Sequence, residues 1–374
     1  MKIFFCDNRL GGLLGFRIDI IRHFLSQGHD VTLVAPHAVS DWDKVGLHDV
    51  TGYKIREVDM DASGMNPLHE LRLFRQYLRL FRRERPDIVF NYTIKPNVYS
   101  SLAARMCGCR VVCMMAGLGY IFDERGLKRK LLLAMCKAGL KRAERVLVLN
   151  SMNYDKLISE KMVKPSKLVL LDGGEGVDLD FYSVHEAGFT DGVTFLMVSR
   201  LLKEKGYEEF VEAARIVSHS TSAARFRILG PLAYDSPMGV SRDVFEEDMK
   251  EGVVEYLGVS NDIPEVVGGK DIVVVVPSWY KEGMNRSLME ACAMGKPIIT
   301  TDNPGCREMV AEGENGYIVP VKDAQALADA MKRFVCLSEE RKLRMAQRSR
   351  ELAESRFGVD KVIEIYDSIL EGRI

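Results

Sequence analysis

Residues 277–290, PSWYKEGMNRSLME, combine types able to handle a charged ligand. The uninterrupted apolar run before them predicts a strand over 272–276, and a helix is expected from about Arg286. The loop between carries Glu282 and Gly283. A helix starting there turns N–H groups and a partial positive charge toward whatever faces the loop, which suits a diphosphate. Gly283 lets the backbone approach a bulky ligand closely. Glu290 has two readings from these residues alone: a ligand contact, or the capping-box partner of Ser287, because S-x-x-E stands at the helix start. A second loop, SRLLKEKG at 199–206, follows a predicted strand at 194–198 and offers Arg200, Lys203 and Lys205. Taken singly, each of these cations reads as an ordinary surface charge.

The elements that must hold these loops alternate between strand and helix patterns. A buried strand at the N-terminus leads into a loop containing Gly11, Gly12 and Gly15, then a helix over 16–26 and a strand over 31–35. This is a βαβ start with glycines at the first strand-to-helix turn, although their spacing is not G-x-G-x-x-G. Further strands are expected at 87–91, 110–114 and 145–149, with a helix at 97–107. Continuous apolar runs such as Val146-Leu147-Val148-Leu149 suit parallel strands covered on both faces. The pattern restarts near 180, with strands at 194–198, 226–229, 254–257, 272–276, 297–301 and 316–319 and a helix at 206–217. An amphipathic helix over 359–370 closes the chain. The organisation is α/β: a Rossmann-like domain at 1–180, a second at 181–355 and a terminal helix at 356–374 returning toward the first. Two such domains facing across a cleft make that cleft the expected site.

The segment at 277–310 resembles the retaining glycosyltransferases of family 4, which have the GT-B fold. Their hallmark is E-G-x6-E in a strand–loop–helix setting, matched by Glu282 and Glu290. The likeness continues through Gly295-Lys296-Pro297, Pro304-Gly305-Cys306-Arg307-Glu308, Asn315-Gly316 and Tyr366, and more weakly through the N-terminal half. It implies that Glu282 contacts the transferred sugar near its reacting carbon and that Glu290 hydrogen-bonds the donor's ribose. It further implies that Arg200 and Lys205 hold the diphosphate, making Glu282, Arg200 and Lys205 the catalytic set. A departing nucleotide diphosphate accumulates negative charge, and fixed cations stabilise it. Leu257-Gly258, Asp262 and Ile263 match the region that holds the base, with uridine expected. The donor segment runs on from Gly283 through Met284, Asn285, Arg286, Ser287 and Leu288. Met284, Asn285 and Arg286 are expected to tune the sugar, Asn285 standing where relatives often have Pro or Gly. Gly11 and Gly12 match the loop near the donor phosphates.

Many relatives carry a histidine where Tyr92 stands, so no catalytic histidine is assigned. The run Tyr92-Thr93-Ile94-Lys95-Pro96-Asn97 looks like members that build bacterial surface polysaccharides or lipid-linked oligosaccharides. It makes Tyr92, Lys95 and Asn97 acceptor candidates, with Gly119 and Tyr120 as weaker ones. Lys95 would meet an acceptor diphosphate; its plain alternative is a turn lysine before proline. The resemblance implies retention, reaction on the face of the leaving group, and transfer of a hexose or N-acetylhexosamine from a UDP-sugar to a polyprenyl-diphosphate-linked sugar. No cofactor is expected beyond the nucleotide-sugar substrate, and no DxD-type metal site is apparent.

Net charge is −1, but residues 1–180 hold 28 Lys and Arg against 21 Asp and Glu, and the remainder is acidic. Two basic helical stretches lie in the first half. Residues 69–85 interleave Arg72, Arg75, Arg79, Arg82, Arg83 and Arg85 with Leu and Phe; residues 126–145 set Lys128, Arg129, Lys130, Lys137, Lys141 and Arg142 around an apolar centre. Each reads either as a packed helix with a solvated face or as a surface for anionic lipid. With no apolar run long enough for a signal peptide or a membrane span, the expected location is cytoplasmic, and the basic helices add an expected peripheral contact to the inner face of the cytoplasmic membrane. Eight cysteines without C-x-x-C spacing read as buried, reduced thiols. A nucleic-acid binder does not need the Glu pair, and an NAD-linked oxidoreductase needs a better glycine fingerprint. A sugar-nucleotide hydrolase or epimerase would bind the same donor, and a silent sensor would bind it without turnover; both remain alternatives.

Overall fold

The computed structural model describes residues 1–36, 50–61, 66–117, 126–184, 186–260 and 262–374, the Leu127 and Lys128 side chains excepted. The chain divides into two compact units, Met1–Glu175 with Asp360–Ile374, and Gly176–Val359.

The first unit's strands are β1 (Lys2–Cys6), β2 (Asp30–Ala35), β3 (Lys54–Glu57), β4 (Ile88–Tyr92), β5 (Arg110–Met115), β6 (Arg145–Val148) and β7 (Leu168–Leu170). Its helices are α1 (Leu10–Phe16), α2 (Ile18–Ser26), α3 (Pro67–Glu84), α4 (Ser101–Met106), α5 (Gly126–Leu140) and α6 (Ser151–Ser159). The seven strands pair in parallel in the order β3-β2-β1-β4-β5-β6-β7. The second unit repeats the plan. Strands β8 (Val193–Val198), β9 (Ala224–Leu229), β10 (Glu255–Tyr256), β11 (Ile272–Val276), β12 (Ile298–Thr301) and β13 (Gly316–Val319) run in the parallel order β10-β9-β8-β11-β12-β13. Its helices are α7 (Tyr207–Ser218), α8 (Arg242–Glu251), α9 (Ile263–Val267), α10 (Arg286–Ala293), α11 (Ala324–Val335) and α12 (Glu339–Leu352). The last helix, α13 (Val359–Leu370), follows a π-type turn.

Each sheet is doubly wound, and strand order reverses between β1 and β4 in one and between β8 and β11 in the other. Loops leaving the C-terminal ends of such a pair diverge and open a ligand crevice. The central strands are continuous apolar runs because helices cover both faces: every residue of β8, β4 and β11 is buried.

Several expectations need correction. Gly11, Gly12 and Gly15 lie within α1, not in a loop, and the helix expected over 16–26 breaks at Arg17 into α1 and α2. The reason is packing: a Cβ on Gly12 would stand 3.1 Å from an Asp7 carboxylate oxygen, so glycine lets the helix start against β1. The helix expected over 97–107 opens with a π-type turn, Pro96–Ser100, before α4. Strands β3 and β7 were not expected, and the strand expected over 254–257 shrinks to the two residues of β10. The units divide at Glu175/Gly176 and Val359/Asp360. Glu175 is bound by Arg17 of the first unit (2.6 Å), whereas Val177 bridges Gly358 within the second.

Helix α13 beyond Val359 belongs to the first unit. The Tyr366 hydroxyl lies 2.9 Å from that of Tyr92, His23 Nε2 is 3.0 Å from Asp367, and Arg110 donates to the carbonyls of Ile369 and Leu370. Of the cysteines, Cys6, Cys109, Cys113, Cys136, Cys292 and Cys306 are buried; Cys107 is half-buried and Cys336 exposed. Burial pushes the Cys113 thiol up to about 12, far from a nucleophilic thiolate at neutral pH.

Candidate functional site

In the second unit, β8 and β11 are adjacent and in register, Val275 opposite Met197. The loops that leave them therefore begin side by side. After β8 the chain runs through Arg200, whose carbonyl accepts from the Leu202 N–H (2.8 Å), into a 3-10 turn at Lys203–Lys205. Gly206 then turns into α7 with φ +83°, the left-handed region that favours glycine. After β11, the N–H groups of Trp279 and Tyr280 both donate to the Glu204 carbonyl at 2.9 Å, tying this loop to the first.

This stitching brings the Lys205 ammonium onto Glu282 Oε1 in an ion pair, both side chains largely buried. The same oxygen accepts from Ser278 Oγ and Asn285 Nδ2, each at 3.2 Å. Lys205 Nζ also stands 4.8 Å from the centre of the Tyr280 ring, a cation–π contact. Gly305, at φ +85°, closes the other side: a Cβ there would meet Glu282 Cβ at 2.5 Å and the Gly283 carbonyl at 2.8 Å. Sequence reasoning quoted Gly305 without a reason for it; this close approach is the reason.

Asn285 caps α10, its side chain accepting from the Leu288 N–H at 3.1 Å while its own N–H donates to the Gly305 carbonyl at 2.7 Å. The helix thus starts at Arg286 as expected, but Ser287 is not its cap, which removes the capping-box reading of Glu290. Glu290 Oε1 instead accepts from Tyr182 OH and Arg286 Nε, both at 2.9 Å. Arg286 reaches on to the Gly176 carbonyl at 3.2 Å. Gly283 and Met284 lie in the loop, and Ser287 and Leu288 in the first turn of α10.

Leu257 follows β10 with its N–H on the Ile228 carbonyl (2.8 Å), and Asp262 caps α9 ahead of Ile263 through the Glu265 N–H at 3.0 Å. Sequence reasoning missed Ser278, Tyr280 and Tyr182. A hydroxyl placed immediately after the strand-ending Pro277 was the available signal for Ser278; Tyr182 lies more than a hundred positions from its partner and left none.

The first unit gathers a different polar cluster where β1 and β4 end. Arg17 sits 3.8 Å from Asp7, 2.6 Å from Glu175, 3.1 Å from the Gly12 carbonyl and 4.4 Å from the centre of the Tyr92 ring. Burial pushes the Asp7 carboxyl above its usual range, opposed by Arg17. Gly11 and Gly12 thus belong to the helix end packed on Asp7. Tyr92 is fully buried, stacked on Phe5 and bonded to Tyr366, so its ring supports the sheet end and exposes nothing to an acceptor. Lys95 pairs with Glu70 of α3 at 2.5 Å, and Asn97 is buried with its amide on the Met114 carbonyl at 2.8 Å. Gly119 and Tyr120 lie outside the described residues.

Comparison with known proteins places the chain in a family. Residues 11–180 match the family described as Glycosyltransferase Family 4, and residues 183–352 match that described as Glycosyl transferases group 1. The N,N'-diacetylbacillosaminyl-diphospho-undecaprenol alpha-1,3-N-acetylgalactosaminyltransferase of Campylobacter jejuni is 26% identical, over 92% of this chain and 91% of its own. The UDP-Gal:alpha-D-GlcNAc-diphosphoundecaprenol alpha-1,3-galactosyltransferase of Escherichia coli is also 26% identical, over 68% of each chain. Among solved structures, Anabaena HepE in complex with UDP superposes with a TM-score of 0.80 at 18% identity, over 100% of both chains, which shows the fold. Two parallel doubly wound sheets, each matched by its own glycosyltransferase profile, establish that the chain belongs to the family 4 glycosyltransferases of the GT-B fold.

Proposed function

We propose that this glycosyltransferase moves a hexose or N-acetylhexosamine from a UDP-sugar to a polyprenyl-diphosphate-linked sugar in bacterial surface-polysaccharide assembly, with retention at the anomeric carbon. The observation that carries the reading is the Lys205–Glu282 pair, clamped by Ser278 and Asn285 at the β8/β11 reversal and beside the positive end of α10. The relatives' names supply the substrate class: one transfers to a diphospho-undecaprenol sugar, another from UDP-galactose to a sugar of that kind.

In this reading the donor diphosphate lies against Lys205, Arg200 and the first turn of α10, Glu290 takes the ribose and the 257–263 segment the base. Glu282, held by Lys205, Ser278 and Asn285, faces the sugar. The bond from the anomeric carbon to the diphosphate oxygen breaks, and a bond to the acceptor hydroxyl oxygen forms on the same face. The acceptor proton passes to the departing diphosphate, whose charge Lys205 and the helix end stabilise. With these positive groups at the leaving oxygen, catalysis is independent of metal ions. The second unit serves as the donor half and the first as the acceptor half, Lys95 exchanging Glu70 for the acceptor's diphosphate.

The test is a panel of UDP-, GDP- and ADP-sugars with and without a short lipid-diphosphate-sugar, each in EDTA and in Mn²⁺. Acceptor-dependent release of UDP, equal in EDTA, is expected. Rapid donor conversion without acceptor would favour the hydrolase or epimerase, and activity lost in EDTA but restored by Mn²⁺ would overturn metal independence.

The same reading predicts peripheral membrane contact through α3. Arg72, Arg75, Arg79, Arg82 and Arg83 are exposed along this helix, with exposed Leu68 and Leu71 at its start. No helix among the described residues is long and apolar enough to cross a membrane. Each cation near an anionic bilayer contributes about 1 kcal/mol, so replacing Arg72, Arg75 and Arg79 with glutamine should weaken binding to phosphatidylglycerol vesicles roughly a hundredfold. Equal sedimentation of variant and wild type would assign the stripe to solvent.

A further inference from the structure

The carboxylate of Glu290 is held asymmetrically. Tyr182 OH and Arg286 Nε both donate to Oε1 at 2.9 Å, and among the described residues no donor reaches Oε2. Two donors on one oxygen fix the rotation of the carboxylate and leave the second oxygen to accept from a ligand, since ionised carboxylates have about four lone-pair sites. Arg286 cannot do this alone: it leaves Glu290 by one helical turn and also serves the Gly176 carbonyl, so its direction is shared.

Tyr182 comes from outside the helix and is itself anchored to it. Its N–H donates to the Asp178 carbonyl at 2.9 Å, and its ring is buried edge-on against Phe181. Arg350 Nη1 donates to the carbonyls of Tyr182 and Leu179, each at 3.1 Å, and to that of Ala293, the last residue of α10, at 2.7 Å. The guanidinium therefore staples the tyrosine's backbone to the far end of the helix whose Glu290 the hydroxyl grips. The result is a braced triangle with one free vertex, Glu290 Oε2.

We propose that Tyr182 is a positioning residue for recognition of the donor ribose: through its bond to Oε1 it aims Glu290 Oε2 at the ribose hydroxyls. This rests on the reading of Glu290 as the ribose contact. Phenylalanine at 182 keeps the ring and its packing and removes only the hydroxyl. Calorimetric titration of wild type, Y182F, E290A and the double variant with UDP, 2′,3′-dideoxy-UDP and inorganic pyrophosphate separates the possibilities. Wild type should prefer UDP to its dideoxy counterpart, and Y182F should bind UDP about tenfold more weakly, the weight of a charge-assisted hydrogen bond. Dideoxy-UDP and pyrophosphate should bind Y182F as they bind wild type, and Y182F added to E290A should change nothing further. In turnover the loss should fall on the donor KM, with kcat preserved. A wild type indifferent to the ribose hydroxyls would remove the Glu290 reading and the proposal with it. Wild-type discrimination retained in Y182F, or an equal loss of pyrophosphate binding, would overturn the role of Tyr182 alone.

Discussion

Replacing Lys205 with alanine is expected to slow sugar transfer by between about a hundredfold and a thousandfold, the range seen when one preorganised group stabilising transition-state charge is removed. The ammonium is firmly fixed, gripped by Glu282, set against Tyr280 and carried on a turn stitched to the neighbouring loop. Ser278 and Asn285 still donate to the Glu282 carboxylate after its loss, so stability should fall by only about 1–3 kcal/mol, the cost of removing one partner from a buried polar group. Glu282→Ala should be as damaging for a second reason, because it also releases Lys205. The two substitutions act on one network, and the double variant should lose far less than the product of the single losses. Glu282→Gln keeps an oxygen for Ser278 and Asn285 and should retain more transfer than Glu282→Ala. The measurement is single-turnover transfer at saturating donor, beside thermal unfolding. Wild-type rates in folded Lys205→Ala would exclude this lysine from the chemistry.

How much of this was legible before the structure varies by element, and the reasons are physical. Strands β8, β11 and β6 declare themselves because both faces are covered and nearly every residue is apolar. Strand β3, Lys-Ile-Arg-Glu, is an edge strand with mostly exposed side chains, and β7 has three residues; neither carries enough buried surface to leave a pattern. The glycines at 11, 12 and 15 misled because glycine usually breaks helices, whereas here all three lie within α1 and Gly12 is packed closely against Asp7. Glu282 and Glu290 were legible from one motif on one loop and helix. The resemblance named Lys205 too, but not its pairing with Glu282: the two meet across 77 positions only because β8 and β11 are neighbours in the sheet, and Tyr182, missed altogether, meets Glu290 across 108. Tyr92 shows the opposite failure. It stands where many relatives carry a histidine, and that likeness implied an acceptor contact, yet the side chain is fully buried, packed on Phe5 and Arg17 and bonded to Tyr366.

The geometry of the paired loops leaves Gly206 no room for a single methyl group. Gly206→Ala should lower stability by about 2–5 kcal/mol, combining roughly 1–2 kcal/mol for a left-handed alanine with roughly 1–3 kcal/mol for overpacking. At φ +83° its added Cβ would overlap the Pro277 carbonyl oxygen and stand 2.6 Å from Pro277 Cγ. Neither contact is a flexible side-chain end, so relief requires moving the loop that follows β11. That loop carries Ser278 and Glu282, while Gly206 adjoins Lys205; separating them opens the clamp, and transfer should fall with stability. Gly252 supplies the control. It ends α8 at φ +70° with nothing within 4 Å of an added Cβ, so Gly252→Ala bears only the backbone cost. Denaturant unfolding of the two variants isolates the close approach: Gly206→Ala should be less stable than Gly252→Ala by at least about 1 kcal/mol and should alone lose transfer. Equal unfolding midpoints and equal turnover would mean that the two loops can part without consequence, and the clamped Lys205–Glu282 pair would no longer explain catalysis.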